Sequence, residues 1–151
     1  MLKLIHSMSE LDSEQLLAIY KEHAWDEQEF LSYLREDFFL QSDAVYAIWV
    51  EGAEYKAALR AERHNDGLLL HSLETTPGER RKGYAHSLIT HFLDYLQMLD
   101  CMAVYSHVDK RNRASIALHK KCGFQLYSDS AKYLDGTVTQ NSCTMCYYLK
   151  K

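Results

Sequence analysis

The sequence predicts a mixed α/β domain whose sheet is mainly antiparallel and contains one β-α-β unit. Three observations predict it. Short apolar blocks fill the middle of the chain and are separated by turn signals at Gly52 and Asn65-Asp66-Gly67. Segments on either side of those blocks repeat apolar residues at helical spacing. A run Leu68-Leu69-Leu70 leads into Pro77-Gly78, a basic turn and a helical pattern, the layout of a strand that feeds a helix.

The elements follow in order. Met1–His6 is predicted as a first strand. Leu11–His23 is a helix with Leu16, Leu17, Ile19 and Tyr20 at helical spacing and Ser13 as its N-cap. Asp26 to Leu40 is a second helix, capped by Asp26, with Phe30, Tyr33, Leu34 and Phe38 on one face. Ala44–Val50, Tyr55–Arg63 and Leu68–Thr76 form a three-stranded meander. Glu79 to Leu99 is a long amphipathic helix carrying Leu88, Ile89, Phe92, Leu96 and Met98. Cys101–Val108 is a buried strand, and Asn112–Cys122 a helix that Gly123 ends. Phe124–Tyr127 and Thr144–Leu149 are the last strands, with a long turn over Leu134–Asn141 around Asp135-Gly136.

The 151 residues suit one domain, 1–151, with 47% hydrophobic and 25% charged residues. No apolar stretch approaches the roughly 20 residues that span a bilayer. The N-terminus turns acidic too early for a secretory signal, so the expected address is the cytoplasm and no membrane partner is expected. Cys143-x-x-Cys146 has half of a zinc spacing, but no second pair completes it, and no metal is expected. Charge is divided along the chain. Residues 1–66 hold 14 acidic and 6 basic side chains, a net of −8, whereas residues 67–151 hold 7 acidic and 11 basic, a net of +4. The basic half suits a phosphorylated ligand. The acidic half is either a solvated helix surface or a steering field for a cationic substrate. A pI near 6.0 argues against a nucleic-acid partner.

The segment Thr75 to Ser87, TTPGERRKGYAHS, carries most of the chemistry. A helix that opens behind a strand and a turn offers unpaired N–H groups and the positive end of its dipole to an anion. Gly83 lets a phosphate approach the backbone, and Arg80, Arg81 and Lys82 add charge-assisted hydrogen bonds. A solvated basic turn is the alternative reading of the same residues.

Two local signatures and the order of elements resemble the GNAT superfamily of acyl-CoA-dependent N-acetyltransferases. The first is the pyrophosphate loop R/Q-x-x-G-x-G/A, here Arg80-Arg81-Lys82-Gly83-Tyr84-Ala85. The second is a helix of the type N-x-x-A/S-x-x-L-Y-x-K-x-G-F, which runs here from Asn112 to Phe124. The resemblance implies helices on both faces of the sheet and a splay between strands 4 and 5, after Thr76 and before Cys101, that receives acetyl-CoA. It implies that backbone groups of Leu73 and Thr75 pair with the pantetheine amides and that residues Arg80 to Ala85, Tyr84 included, hold the pyrophosphate. Asn112 would lie near the pantetheine arm, and Lys121 or Lys120 would reach the 3′-phosphate.

The implied reaction is direct attack of a primary amine on the thioester. An alkylamine needs a base or a water relay to lose its proton. His71 and Glu74 are the candidates, with water as the third route and His107 as a weaker option. Strand alternation puts His71 on the face of Leu73 and Glu74 on the other. The family's usual tyrosine, an acid for the leaving thiolate, is replaced by His119, which either donates the proton or merely packs. That replacement also keeps open a non-catalytic acyl-CoA sensor or interaction module. Asp26, Glu27, Glu29, Glu36 and Asp37 hint at a cationic acceptor, either a small molecule or a peptide. The family resemblance also implies a possible homodimer through the C-terminal strands.

Overall fold

A computed structural model describes residues 1–23, 25–133 and 135–149. It is a mixed α/β architecture with a mostly antiparallel sheet and one parallel strand pair. The chain divides into two compact units, Met1–Glu62 with Ser72–Phe92, and Arg63–His71 with Leu93–Lys151. Among the described residues no helix is long and apolar enough to cross a membrane.

The first unit begins with β1 (Leu2–Ile5), which runs antiparallel to β2 (Val45–Glu51) with Ile5 opposite Tyr46. β2 pairs antiparallel with β3 (Glu54–His64), placing Val45 opposite Ala61. α1 (Ser13–Ile19) and α2 (Glu27–Glu36) are both shorter than their apolar patterns suggest. Asp12 caps α1 by accepting from Gln15 N, so Ser13 is the first helical residue and not the cap. The Asp12 carboxylate lies one residue earlier and accepts the free N–H itself. Asp26 caps α2 as expected, accepting from Glu29 N. α2 stops at Glu36, and Phe38–Leu40 continues as a 3-10 turn. Ile5, Leu16, Ile19, Leu34, Phe38, Tyr46 and Ile48 form the core of this unit.

β4 spans Gly67–Thr75, and α3 covers Tyr84–Leu96. The helix predicted from Glu79 to Leu99 is therefore shorter at both ends. Positive φ at Arg81 and Gly83 excludes helix before Tyr84. Beyond Leu96 the apolar pattern no longer meets a core, and Met98 is 77% exposed.

In the second unit the strand neighbours run β4, β5 (Ala103–Asp109), β9 (Ser142–Tyr148) and β6 (Gln125–Ser128). β4 and β5 are parallel, with Leu68, Leu69 and Leu70 opposite Val104, Tyr105 and Ser106. β5 and β9 are antiparallel along their whole length. α4 covers Arg113–Lys121. Within the segment Leu134–Asn141, read as a long turn, Val138–Thr139 forms a short strand, β8, that pairs antiparallel with β7 (Ala131–Lys132) just before the segment; Leu134 lies outside the described residues. Cys143 and Cys146, like Cys101 and Cys122, are buried.

Candidate functional site

The basic loop between β4 and α3 takes its shape from the backbone. Arg81 has φ +68° and Gly83 φ +82°, while Arg80 and Lys82 between and before them do not have positive φ. Alternating φ of this kind is the backbone pattern in which successive N–H groups can form an anion-binding nest. Ser87 N donates to Gly83 O at 2.9 Å, closing the first turn of α3. The N–H groups of Tyr84, Ala85 and His86 precede that bond and have no partner within the helix.

The cationic side chains are committed elsewhere. Arg80 is ion-paired with Glu22 and lies 3.5 Å from Glu74 Oε1. Lys82 donates to Glu79 at 2.7 Å, and Lys56 donates to the same carboxylate at 3.1 Å. These two lysines hold the Glu79 carboxyl below its usual pKa. Arg81 is exposed. Two of the three expected cations, Arg80 and Lys82, thus face carboxylates.

Strand alternation does not carry through β4. Ser72 has φ +55°, which is not strand conformation and is uncommon outside glycine. Two hydrogen bonds hold it there. Tyr20 OH donates to Ser72 O at 2.6 Å, and Arg60 Nη2 donates to Ser72 Oγ at 2.8 Å. Tyr46 OH in turn donates to Tyr20 OH at 2.7 Å. The Arg60 guanidinium lies against Phe30, Tyr33 and Phe38, at 5.1 Å from the Tyr33 centroid. The alternation expected to put His71 and Leu73 on one face and Glu74 on the other is interrupted at this residue. Glu74 also has partners of its own, His23 Nε2 at 2.9 Å and Thr75 N at 3.2 Å. The Thr75 N–H, expected to pair with pantetheine, thus donates to the neighbouring carboxylate. The partnerships with Tyr20, Arg60 and His23 were not found in the sequence, because each of those residues comes from a distant element.

In the second unit His107 projects into an aromatic cleft of about 440 Å³ that Tyr105, Tyr127, Tyr133, His64 and Lys132 help to line. Its ring lies 5.3 Å from Tyr133 and 6.4 Å from His64, edge to face in both cases. Burial, followed by the neighbouring His71 and His64, lowers its pKa to about 4. The native state then binds fewer protons than the unfolded chain between about pH 4 and the ordinary histidine value near 6.5. Stability from this source is present above that window and is lost as pH falls through it. His107→Gln is expected to lose less melting temperature than the wild type between about pH 7 and about pH 4.5. Equal losses in parallel thermal melts would contradict the assignment.

α4 opens on Asn112, whose side chain accepts from Ser115 N at 3.0 Å and so caps the helix. Lys120 and Lys121 are exposed in its last turn, where they complement the helix dipole. His119 is 2% exposed. Its Nδ1 lies 2.7 Å from Ser115 O and its Nε2 2.9 Å from Ser106 Oγ. Phe124 packs edge-on against the ring at 5.1 Å. Burial lowers the His119 pKa, and the bond to Ser115 only partly offsets it. The imidazole is enclosed and doubly engaged.

The sequence matches the acetyltransferase (GNAT) family over residues 5–124. No curated protein matches it. Solved structures share its fold. The ribosomal-protein-S18-alanine N-acetyltransferase of Escherichia coli is 20% identical with a TM-score of 0.74, over 100% of this chain and 96% of that one. A spermidine N-acetyltransferase SpeG chimera from Vibrio cholerae and hSSAT is 16% identical with a TM-score of 0.75, over 98% and 95%. The PaiA N-acetyltransferase of Thermoplasma acidophilum, in complex with coenzyme A, is 13% identical with a TM-score of 0.66, over 98% and 99%. At these identities the likeness is one of fold, while the family match extends over most of the sequence. The chain belongs to the GNAT acetyltransferase family.

Proposed function

We propose that the protein transfers an acetyl group from acetyl-CoA to a primary amine by direct attack of the amine on the thioester. The observation that carries this reading is the alternating φ of the loop at residues 80–83, immediately ahead of the N-terminus of α3. In the proposal the main-chain N–H groups of that loop, with Tyr84 N and Ala85 N, bind the diphosphate. Arg81 adds charge at the rim, and Arg80 and Lys82 do so when they leave their carboxylates. β4 near Leu73 pairs with the pantetheine arm. Asn112 supports the arm indirectly, by fixing the start of α4. Lys121 serves the 3′-phosphate. Related folds include enzymes named for a ribosomal protein's alanine and for spermidine, which supports a protein or small-molecule amine as acceptor.

His71 is proposed as the base that takes the amine's proton, because the other candidate, Glu74, is already engaged by His23 Nε2 at 2.9 Å and Thr75 N at 3.2 Å. His71→Ala is expected to lower kcat about tenfold to a hundredfold near neutral pH with little change in acetyl-CoA affinity. Wild-type kinetics in that variant would remove it from the mechanism. The proposed function itself is tested by a thermal-shift titration with acetyl-CoA, followed by turnover with a panel of amines. A stabilised protein that releases CoA with an amine supports it. Stabilisation with no turnover on any amine supports the sensor reading, which the enclosed His119 favours. No stabilisation contradicts both.

A further inference from the structure

We infer that Ser106 is a catalytic residue of this acyl transfer, its hydroxyl donating to the departing sulfur, and that His119 is the positioning residue that holds it. The inference rests on the proposed function and adds to it a residue the sequence did not single out. Ser106 stands opposite Leu70 in the last registered pair of the two parallel strands. It is 6% exposed and shares a face of β5 with the buried Val104 and Val108.

A hydroxyl and an imidazole buried together among apolar side chains are costly unless both are fully hydrogen-bonded. Here each is hydrogen-bonded, and the bonds have a definite sense. The Ser115 carbonyl can only accept, so His119 Nδ1 carries the proton and donates to it at 2.7 Å. The neutral ring leaves Nε2 as an acceptor, and Ser106 Oγ donates to it at 2.9 Å. α4 thus fixes the ring through its own backbone, and the ring fixes the serine rotamer. His119 has no atom left for a ligand. The serine oxygen keeps its lone pairs, and its proton can turn about the Cβ–Oγ bond without moving the oxygen.

The step balances simply. The amine nitrogen forms a bond to the acyl carbon, the carbon–sulfur bond breaks, and its electron pair goes to sulfur. The Ser106 proton turns from His119 Nε2 toward that sulfur, which has become the stronger acceptor, and remains covalently on oxygen. The amine's proton passes to its base and then to water. The thiolate takes a proton from water when it leaves.

The test compares acetyl transfer by the full chain with that of Ser106→Ala, His119→Phe and the double variant. Ser106→Ala is expected to lower kcat roughly tenfold to a hundredfold with unchanged acetyl-CoA affinity by calorimetry. Adding His119→Phe to it should cost nothing more, because the histidine acts through the serine. With an acetyl ester of a more acidic thiol, such as thiophenol, the Ser106→Ala defect should shrink toward none, since that leaving group needs no donor. A structural role would lower the melting temperature and leave the same defect with both donors. Ser106→Cys, which keeps the volume and a weaker donor, supplies the comparison if the alanine variant folds poorly, and an intermediate kcat is expected. Wild-type kcat in Ser106→Ala, or a defect independent of the leaving group, overturns the inference. A wild type that acetylates no amine overturns the proposed function as well, and that failure is seen before any substitution is made.

Discussion

Replacing Gly83 with aspartate is expected to abolish binding of acetyl-CoA while leaving the fold intact. The position needs a left-handed backbone, with φ +82°, and nothing lies within 4 Å of where a Cβ would stand. Aspartate is among the residues that visit that conformation at modest cost. The variant therefore folds, and its carboxylate stands over the main-chain groups proposed to receive a diphosphate. A unit charge about 4 Å from another of like sign costs roughly 4 kcal/mol near a protein surface, or nearly three orders of magnitude in affinity. Gly83→Ala is the control. It adds only backbone strain of about 1 kcal/mol and should weaken binding far less. Isothermal calorimetry separates the two, and equal affinities for Gly83→Asp and the wild type would remove the loop from the site.

The second large effect is on stability. Gly67→Ala should destabilise the protein by about 3 kcal/mol or more and lower its melting temperature by roughly 10 °C. An added Cβ would stand 1.8 Å from the carbonyl oxygen of Ala103, far inside contact distance. The obstacle is β5 backbone, so no side-chain rotation relieves it. The strands must spread where Leu68 pairs with Val104, at the head of the parallel pair. Scanning calorimetry on the two proteins checks this. A shift within about 2 °C would contradict a close approach of Gly67 to the β5 backbone.

The parts of this protein written in local chemistry were legible before the fold was seen. Asn65-Asp66-Gly67 announces the β3–β4 hairpin through a backbone preference that needs no tertiary context, and Asn65 indeed has φ +52°. Asp26 announces the start of α2 in the same way. Tertiary forces decided the rest. The apolar pattern of α3 ran on toward Glu79 and Leu99 because periodicity cannot see a positive φ at an arginine. Ser72 carries no signal for a left-handed kink, since its conformation is imposed by Tyr20 and Arg60 from other elements. The same holds at the site. The glycine of the loop and the helix behind it are visible in thirteen residues. The carboxylates that claim Arg80 and Lys82, and the serine that claims His119, become partners only when the chain folds. A single serine in an apolar strand has no spacing to betray it.

The measurement that bears most directly on the central claim is a crystal structure of the protein with coenzyme A bound. The account predicts its diphosphate on the N–H groups of residues 82–85, with Arg81 and Gly83 still at positive φ. A diphosphate seated on any other part of the chain, with this loop unoccupied, would contradict it.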